Sequence, residues 1–307
     1  MKKILSFIGK WLLIFLIASV AIFLLVRMMP TSPVNQWLSS YNLPHTEENI
    51  AYVTERMGLD KPLIVQYLSW MGNFLRGDWG YSLVSHLPIK EQFIKRLPYS
   101  VSIGVFGILI AAAVSFFLGY RAALKPGGFA DRFSSGLAIF SQSVPSFILS
   151  VIVIYFFSVQ FRVMKFFTGS GAYALITAIL ITALYQVGSL SRVVSSAFRE
   201  EMGKSYVRFS VSRGFSKQYV LFHHTWRPVF CRLVSAVIAD FAWVFGGSTV
   251  LEFAFAIPGI SYFLVDSMTA SDYTVLQTYI LVVVIWMFIV HLVLNVVLNI
   301  VDVRRRK

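Results

Sequence analysis

The sequence predicts an all-α integral membrane protein with six membrane-spanning helices, one large outer segment and one large basic inner loop. Three observations predict it. Hydrophobic residues make up 57% of the 307-residue chain and charged residues only 13%, with a mean hydropathy of +0.71. A soluble domain of this length needs far more charge to cover its surface. Six apolar runs are each near the roughly 20 residues that cross a bilayer core: Trp11–Met28, Val101–Tyr120, Leu137–Phe157, Ala172–Leu190, Leu233–Leu251 and Leu276–Leu298. The Lys and Arg residues fall unevenly between the segments that join these runs.

The first run follows Met1-Lys2-Lys3, a start that a signal peptide shares. Its apolar core extends to Arg27 and no small-residue cleavage site follows, so it is read as an uncleaved first helix. Residues 30–100 are the one sizeable polar segment. Within them, Glu47 to Arg56 has helical polarity. Leu63, Val65, Tyr67, Leu68, Met71 and Leu75 recur at helical spacing after Pro62, a good helix start. The segment is too short for an independent core without disulfides and is expected to pack on the bundle as a cap. Arg76-Gly77-Asp78 spells an adhesion tripeptide but reads as a tight turn. Lys125-Pro126-Gly127-Gly128 and Gly169-Ser170-Gly171 are turns between helices. The predicted division is 1–29 for the first helix, 30–100 for the cap and 101–307 for a five-helix core with its inner loop at 191–232.

With both termini inside, the inner segments hold 18 Lys/Arg and four acids, the outer segments nine of each, and Asp240 lies within a helix. The basic side is the cytoplasmic one, which places both termini in the cytoplasm. The net charge of +13 is thus a topology signal, and nucleic-acid binding is a poor reading of it. The loop from Arg192 to Arg232 carries eight Lys/Arg against two acids, and a soluble partner would meet it there.

Several chemistries find no support. The one cysteine, Cys231, excludes an internal disulfide framework. His45, His86, His223, His224 and His291 form no metal-ligand pair on one helix face, so neither a metal site nor a cofactor is expected. Gly203-Lys204-Ser205 spells the end of a nucleotide-binding loop, but Phe198 stands where its first glycine belongs. ATP binding is therefore not expected in this chain.

Polar residues within the apolar runs are the candidates for a pathway. Asp240 is the sharpest, because an unpaired acid at mid-helix costs about 2.5–3.5 kcal/mol on insertion scales. Two readings stay open: an acid lining a pathway for a cationic substrate, or a structural partner for His291 or another helix. Gln142 and Pro145 come next, since a proline frees a backbone carbonyl that a cavity can hydrate. Gly246-Gly247-Ser248 is a small-residue patch for close helix approach, and its Ser248 joins the pathway candidates. His291, Asn295 and Asn299 share one helix face as interhelical hydrogen-bonding groups.

In the inner loop, Glu200 to Ser212 is expected to form one short helix across the membrane face, ended by Gly214 in a left-handed cap. Phe215, Tyr219, Phe222 and Trp226 follow as apolar anchors. Such a helix can sit in a groove of another protein and pass on its movement. The alternative is an amphipathic helix that binds only anionic headgroups. Two other classes were weighed. Ser248 with His291 imitates an intramembrane serine protease. The glycine that normally follows such a serine is Thr249 here, and the basic loop would have no role. An ion-coupled secondary transporter would use Asp240, but it needs further helices or an internal repeat, and neither is visible.

Six motifs in order carry a family resemblance. They are Arg27-Met-Met-Pro30-Thr-Ser-Pro33; Gly58-Leu-Asp60-Lys-Pro62 with Gln66, Tyr67 and Trp70; Gly77-Asp78-Trp-Gly80-Tyr-Ser82; Arg96-Leu-Pro98; Ser143-Val-Pro145-Ser-Phe147; and Glu252, Phe255, Pro258-Gly259, Leu264-Val-Asp266 and Asp272-Tyr273. Over nearly its whole length the chain resembles the dipeptide, oligopeptide and nickel family of ABC-importer permeases. Gly214 takes the glycine position of that family's inner-loop motif, with Arg208-Phe209-Ser210 where Glu-Ala-Ala is usual. Phe209, Ser210, Ser32 and Ser261 depart from the family pattern.

The resemblance implies a permease subunit in a bacterial inner membrane. Its implied partners are a second similar permease, two ATP-binding subunits that carry the ATPase activity, and an extracytoplasmic solute-binding protein. It assigns coupling to Glu200, Tyr206, Arg208, Phe209, Ser210, Gly214, His224 and Arg227. It assigns binding-protein docking to Gly58, Asp60, Gly77, Asp78, Pro258 and Gly259. The pathway candidates remain Gln142, Pro145, Asp240 and Ser248. Peptides are the first expected cargo, with nickel or a metal chelate second.

Overall fold

The computed structural model describes residues 2–29, 32–167, 171–241 and 247–301. The described residues are helical, with a single isolated bridge between Tyr81 and Pro88. In chain order the helices are α1 (Lys2–Arg27), α2 (Pro33–Ser40), α3 (Glu47–Arg56), α4 (Leu63–Leu75), α5 (Ile89–Leu124), α6 (Phe129–Ser143) and α7 (Ser146–Ile154). There follow a π-helical turn (Tyr155–Gln160), α8 (Ala172–Met202), α9 (Ser205–Ser212), α10 (Lys217–Phe241), α11 (Thr249–Ala254), α12 (Ile260–Thr269) and α13 (Tyr273–Val301).

Among the described residues, four helices are long and apolar enough to cross a membrane, over Phe7–Arg27, Ile89–Leu124, Ala172–Met202 and Tyr273–Val293. A fifth span is present if α6 and α7 count as one, bent by 96°. The third apolar run is therefore not one straight helix, as the sequence predicted. Pro145 has no N–H to donate and pushes the preceding residue out of helical geometry. Val144 accordingly adopts φ −106° and ψ 114°, and the helix restarts at Ser146. The fifth run, Leu233–Leu251, includes residues 242–246, which lie outside the described residues, Gly246 among them. On either side, α10 ends at Phe241 and α11 begins at Thr249. The second run starts earlier than predicted, with Pro98 inside α5 rather than ahead of it.

The chain divides into two compact units, Met1–Pro98 with Gly259–Phe288, and Tyr99–Pro258 with Ile289–Lys307. In the first, α1 and α4 lie side by side and antiparallel. Arg27 donates to Gln66 Oε1 through Nε (3.1 Å) and Nη2 (2.9 Å) at one end. Ser19 Oγ lies 2.8 Å from the Tyr67 hydroxyl, and the Phe15 and Phe74 rings are 6.5 Å apart further along. A small core of Val34, Leu38 and Val53 holds α2 to α3. Thr46 caps α3 by accepting from the Asn49 N–H, and Glu47 and Glu48 in its first turn suit the helix dipole. Asp272 accepts from the buried Ser82 hydroxyl at 2.5 Å and from the Val275 N–H at 3.3 Å, capping α13.

In the second unit, Ile103, Ala174, Ala178, Ile181, Leu251 and Phe255 form part of one apolar core. Small residues let the long helices touch. A Cβ at Gly188 of α8 would fall 2.5 Å from the Ala138 backbone nitrogen of α6, so only glycine fits there. The Ser115 hydroxyl of α5 donates to the Val187 carbonyl of α8 at 3.1 Å.

Candidate functional site

One end of the second unit is built on charge. Asp131, in the first turn of α6, pairs with Arg192 at 3.1 Å and with Arg199 at 2.9 Å, both on α8. Its other oxygen accepts from the Gly127 N–H at 2.8 Å. Arg199 also donates to the Ala122 carbonyl at the end of α5 (3.2 Å), so one side chain joins three helices. Glu200 takes both Nη groups of Arg232 on α10. That hydrogen bonding raises the pKa of the Arg232 guanidinium, and the pair stays charged throughout the neutral range.

Glu200 does not belong to the short helix that the sequence predicted from Glu200 to Ser212. It lies in the last turn of α8, which runs on to Met202, and Gly203 closes it by donating to the Glu200 carbonyl. Lys204 is extended, and α9 starts afresh at Ser205. The hinge is held by Glu201, buried at the end of α8. Its carboxylate accepts from Lys204 Nζ and from the Tyr206 hydroxyl. Breaking such a contact leaves a buried acceptor unsatisfied, at a cost of about 1–3 kcal/mol.

Helix α9 buries Val207 and leaves Tyr206, Phe209 and Val211 exposed. Ser210 donates to the Tyr206 carbonyl at 2.9 Å, and Arg208 is exposed. After Arg213 the chain turns at Gly214, with φ +92°, a conformation that glycine adopts without strain. Beyond it, Phe215 and Tyr219 stack at 5.7 Å, and His224 lies 6.3 Å and 6.0 Å from those two rings. Arg227 lies over the Trp226 ring at 5.5 Å. The eight residues assigned to coupling thus all lie between the last turn of α8 and the first half of α10.

A cavity of about 150 Å³ lies between α5, α7, α8, α10 and α11. Asp240 and Ser248 line it, with Ser146, Thr182, Tyr185 and Gln186. Asp240 is half-buried and pairs with no cation among the described residues. Gln142 and Pro145 are exposed and are not among the lining residues. The carbonyl next to Pro145, that of Val144, accepts from the Tyr185 hydroxyl at 2.7 Å. Tyr185 thereby holds the helix break against α8, a contact with no signal in the sequence. Glu252, counted in the sequence as an outer-loop acid, is fully buried and accepts from Ser248 Oγ at 2.8 Å.

The six docking candidates are dispersed. Gly58 follows α3 with φ +64°, and Asp60 beside it is exposed. Gly77 and Asp78 form a turn in which Asp78 accepts from the Gly80 N–H at 3.0 Å. Pro258 is exposed and Gly259 buried, and the boundary between the two units falls between them. The side chains of Asn295 and Asn299 lie outside the described residues.

Four apolar helices long enough to cross a membrane, and a fifth span if the bent pair counts as one, define a multi-pass membrane protein. The chain belongs to the family of binding-protein-dependent transport system inner membrane components, which it matches over residues 115–307, and to that family's N-terminal family over residues 2–104. It is a membrane permease component. It is 28% identical to a probable peptide ABC transporter permease protein of Sinorhizobium fredii, over 93% of each chain. It is 29% identical to a putative peptide transport system permease protein of Brucella abortus, over 99% of this chain and 98% of the relative. It is 28% identical to the glutathione transport system permease protein GsiC of Salmonella typhimurium, over 92% and 91% respectively.

Proposed function

We propose that this chain is one of two permeases in an ATP-driven importer of peptides, with six spans and both termini in the cytoplasm. One of two ATP-binding subunits would grip α9 and the aromatic start of α10. A solute-binding protein would deliver cargo through Gly58, Asp60, Gly77 and Asp78 of the outer segment and through Pro258 and Gly259 of the later outer loop. The single observation that carries this reading is the anchored α9. It presents exposed Tyr206 and Phe209 while Glu201 ties it to the end of a candidate span. Movement imposed on α9 then reaches α8 directly, and through Arg199 and Arg232 reaches α5, α6 and α10.

Asp240 and Ser248 are proposed to line the pathway, with Gln142 and Pro145 at the break in the third span. The peptide cargo rests on the relatives, whose names specify peptides or glutathione. Nickel finds no support among them. The test is uptake by the reconstituted importer. Labelled di- and oligopeptides should accumulate with ATP and binding protein together and not with either alone. Accumulation without ATP would point to the ion-coupled alternative at Asp240.

A further inference from the structure

A second cavity, of about 360 Å³, lies within the first compact unit. Its walls come from the end of α1, the Gly58–Lys61 turn, one face of α4 and the start of α13. Two cations line it, Arg27 and Lys61, and no acidic side chain does. Asp60, next in the turn, is exposed and outside the lining. Neither cation has a carboxylate within ion-pair distance among the described residues. Gln66 fixes both. Its Oε1 accepts from Arg27, and its Nε2 donates to the Leu59 and Lys61 carbonyls at 3.1 Å and 2.8 Å. Gln277 lines the cavity while nine-tenths buried, and its Nε2 has no hydrogen-bond partner. The site is thus positively charged, donor-rich and held in shape before anything binds.

Its position points to the bilayer. Arg27 closes a candidate span, and α4 returns antiparallel along that span. The stripe of α4 beside the cavity-lining Val65, Ser69 and Asn73 carries Ile64, Leu68 and Leu75, exposed by 62%, 61% and 70%. A basic, donor-rich cavity at the end of a span, next to an exposed apolar helix face, is what a lipid with a charged headgroup and acyl chains requires. We infer that this cavity binds the phosphate of an anionic phospholipid headgroup, with the acyl chains along α4. Two cations without an acid favour a headgroup of net negative charge over a zwitterionic one. The site rests on α1 spanning the membrane, and only the choice of leaflet rests on the proposed orientation.

The test uses the full importer in gentle detergent, titrated with phosphatidylglycerol, phosphatidylcholine or inorganic phosphate, and read by native mass spectrometry and thermal shift. Phosphatidylglycerol should bind about tenfold tighter than phosphatidylcholine, the order of one charge-assisted hydrogen bond. Inorganic phosphate should stabilise little. Lys61→Glu, at an exposed position that leaves the packing intact, should abolish the preference, and Gln277→Leu should weaken it. Equal binding of the two lipids, or an unchanged preference in Lys61→Glu, overturns the assignment. Stabilisation by inorganic phosphate equal to that by phosphatidylglycerol would make this a small-anion site and overturn the lipid. Stabilisation by the binding protein alone would give the cavity to a protein acid and also overturn it. Cysteine labelling that placed residues 32–88 in the cytoplasm would refute the proposed orientation without touching the lipid preference.

Discussion

The proposed inner loop and the proposed outer segment are both rich in cations and hold them in different ways. In the inner loop Arg213 and Arg227 lie near rings, while four of the eight cations meet carboxylates. Asp131 takes Arg192 and Arg199, Glu200 takes Arg232, and Glu201 takes Lys204. In the outer segment they meet amides and rings. Arg27 bonds Gln66 and lies 4.5 Å from the Phe23 ring centre, Arg56 lies 5.7 Å from that of Trp37, and Arg96 lies 4.5 Å from that of Phe263. An ion pair between helices records their relative position, because a small displacement changes its energy steeply. Amide and ring contacts fix a shape while leaving the positive charge uncancelled. The first arrangement suits a part that transmits movement, and the second suits a part that receives a ligand.

The comparison can be broken at several points. The largest effect is expected at Gly214. Its φ of +92° cannot be reached by proline, so Gly214→Pro should bring ATP-dependent uptake to background while membrane insertion, checked by fractionation, is unchanged. Next is Glu201→Ala, which leaves the Tyr206 hydroxyl and Lys204 without their acceptor. A local loss of about 1–3 kcal/mol should appear as proteolytic sensitivity around Ser205–Ser212 and as reduced uptake. Glu201→Gln, which keeps an acceptor, should restore part of both.

A smaller and more selective effect is expected at Asp240. Asp240→Asn should weaken uptake of cationic peptides by about tenfold relative to neutral ones, the order of one charge contact. Equal loss of both would remove Asp240 from the pathway. The smallest effect is expected at Glu200→Gln. The pair it breaks is solvent-exposed on both sides, and thermal stability should not change measurably. A large fall in uptake without a fall in stability would then show that the Glu200–Arg232 pair acts in coupling itself.

Much of this was legible in the chain. The apolar runs marked the long helices, because spans must satisfy their backbone internally and need a fixed length. Pro62 marked the start of α4 through ordinary cap chemistry. Gly214 stood out as a glycine where the inner loop must turn. What was not legible depends on pairs distant in sequence. The Tyr185 hydroxyl reaches Val144, and Asp131 reaches Arg199. No local pattern announces either. Pro145 was visible, but a proline in an apolar run is compatible with a kink or a full break, and the 96° bend is decided by tertiary packing. The burial of Glu252 was not legible either, because the fold of this region brings Ser248 to it as a donor.

The proposed inner loop is proposed to be gripped by an ATP-binding subunit at α9. The most direct test is gentle-detergent purification from the native membrane, followed by mass spectrometry, for the wild-type chain and for a deletion of Gly203–Gly214. An ATP-binding subunit and a second permease should accompany the wild type. The deletion should keep the second permease and lose the ATP-binding subunit. Retention of that subunit by the deleted chain, or a wild-type chain that purifies as a homo-oligomer without ATPase activity, would contradict the account.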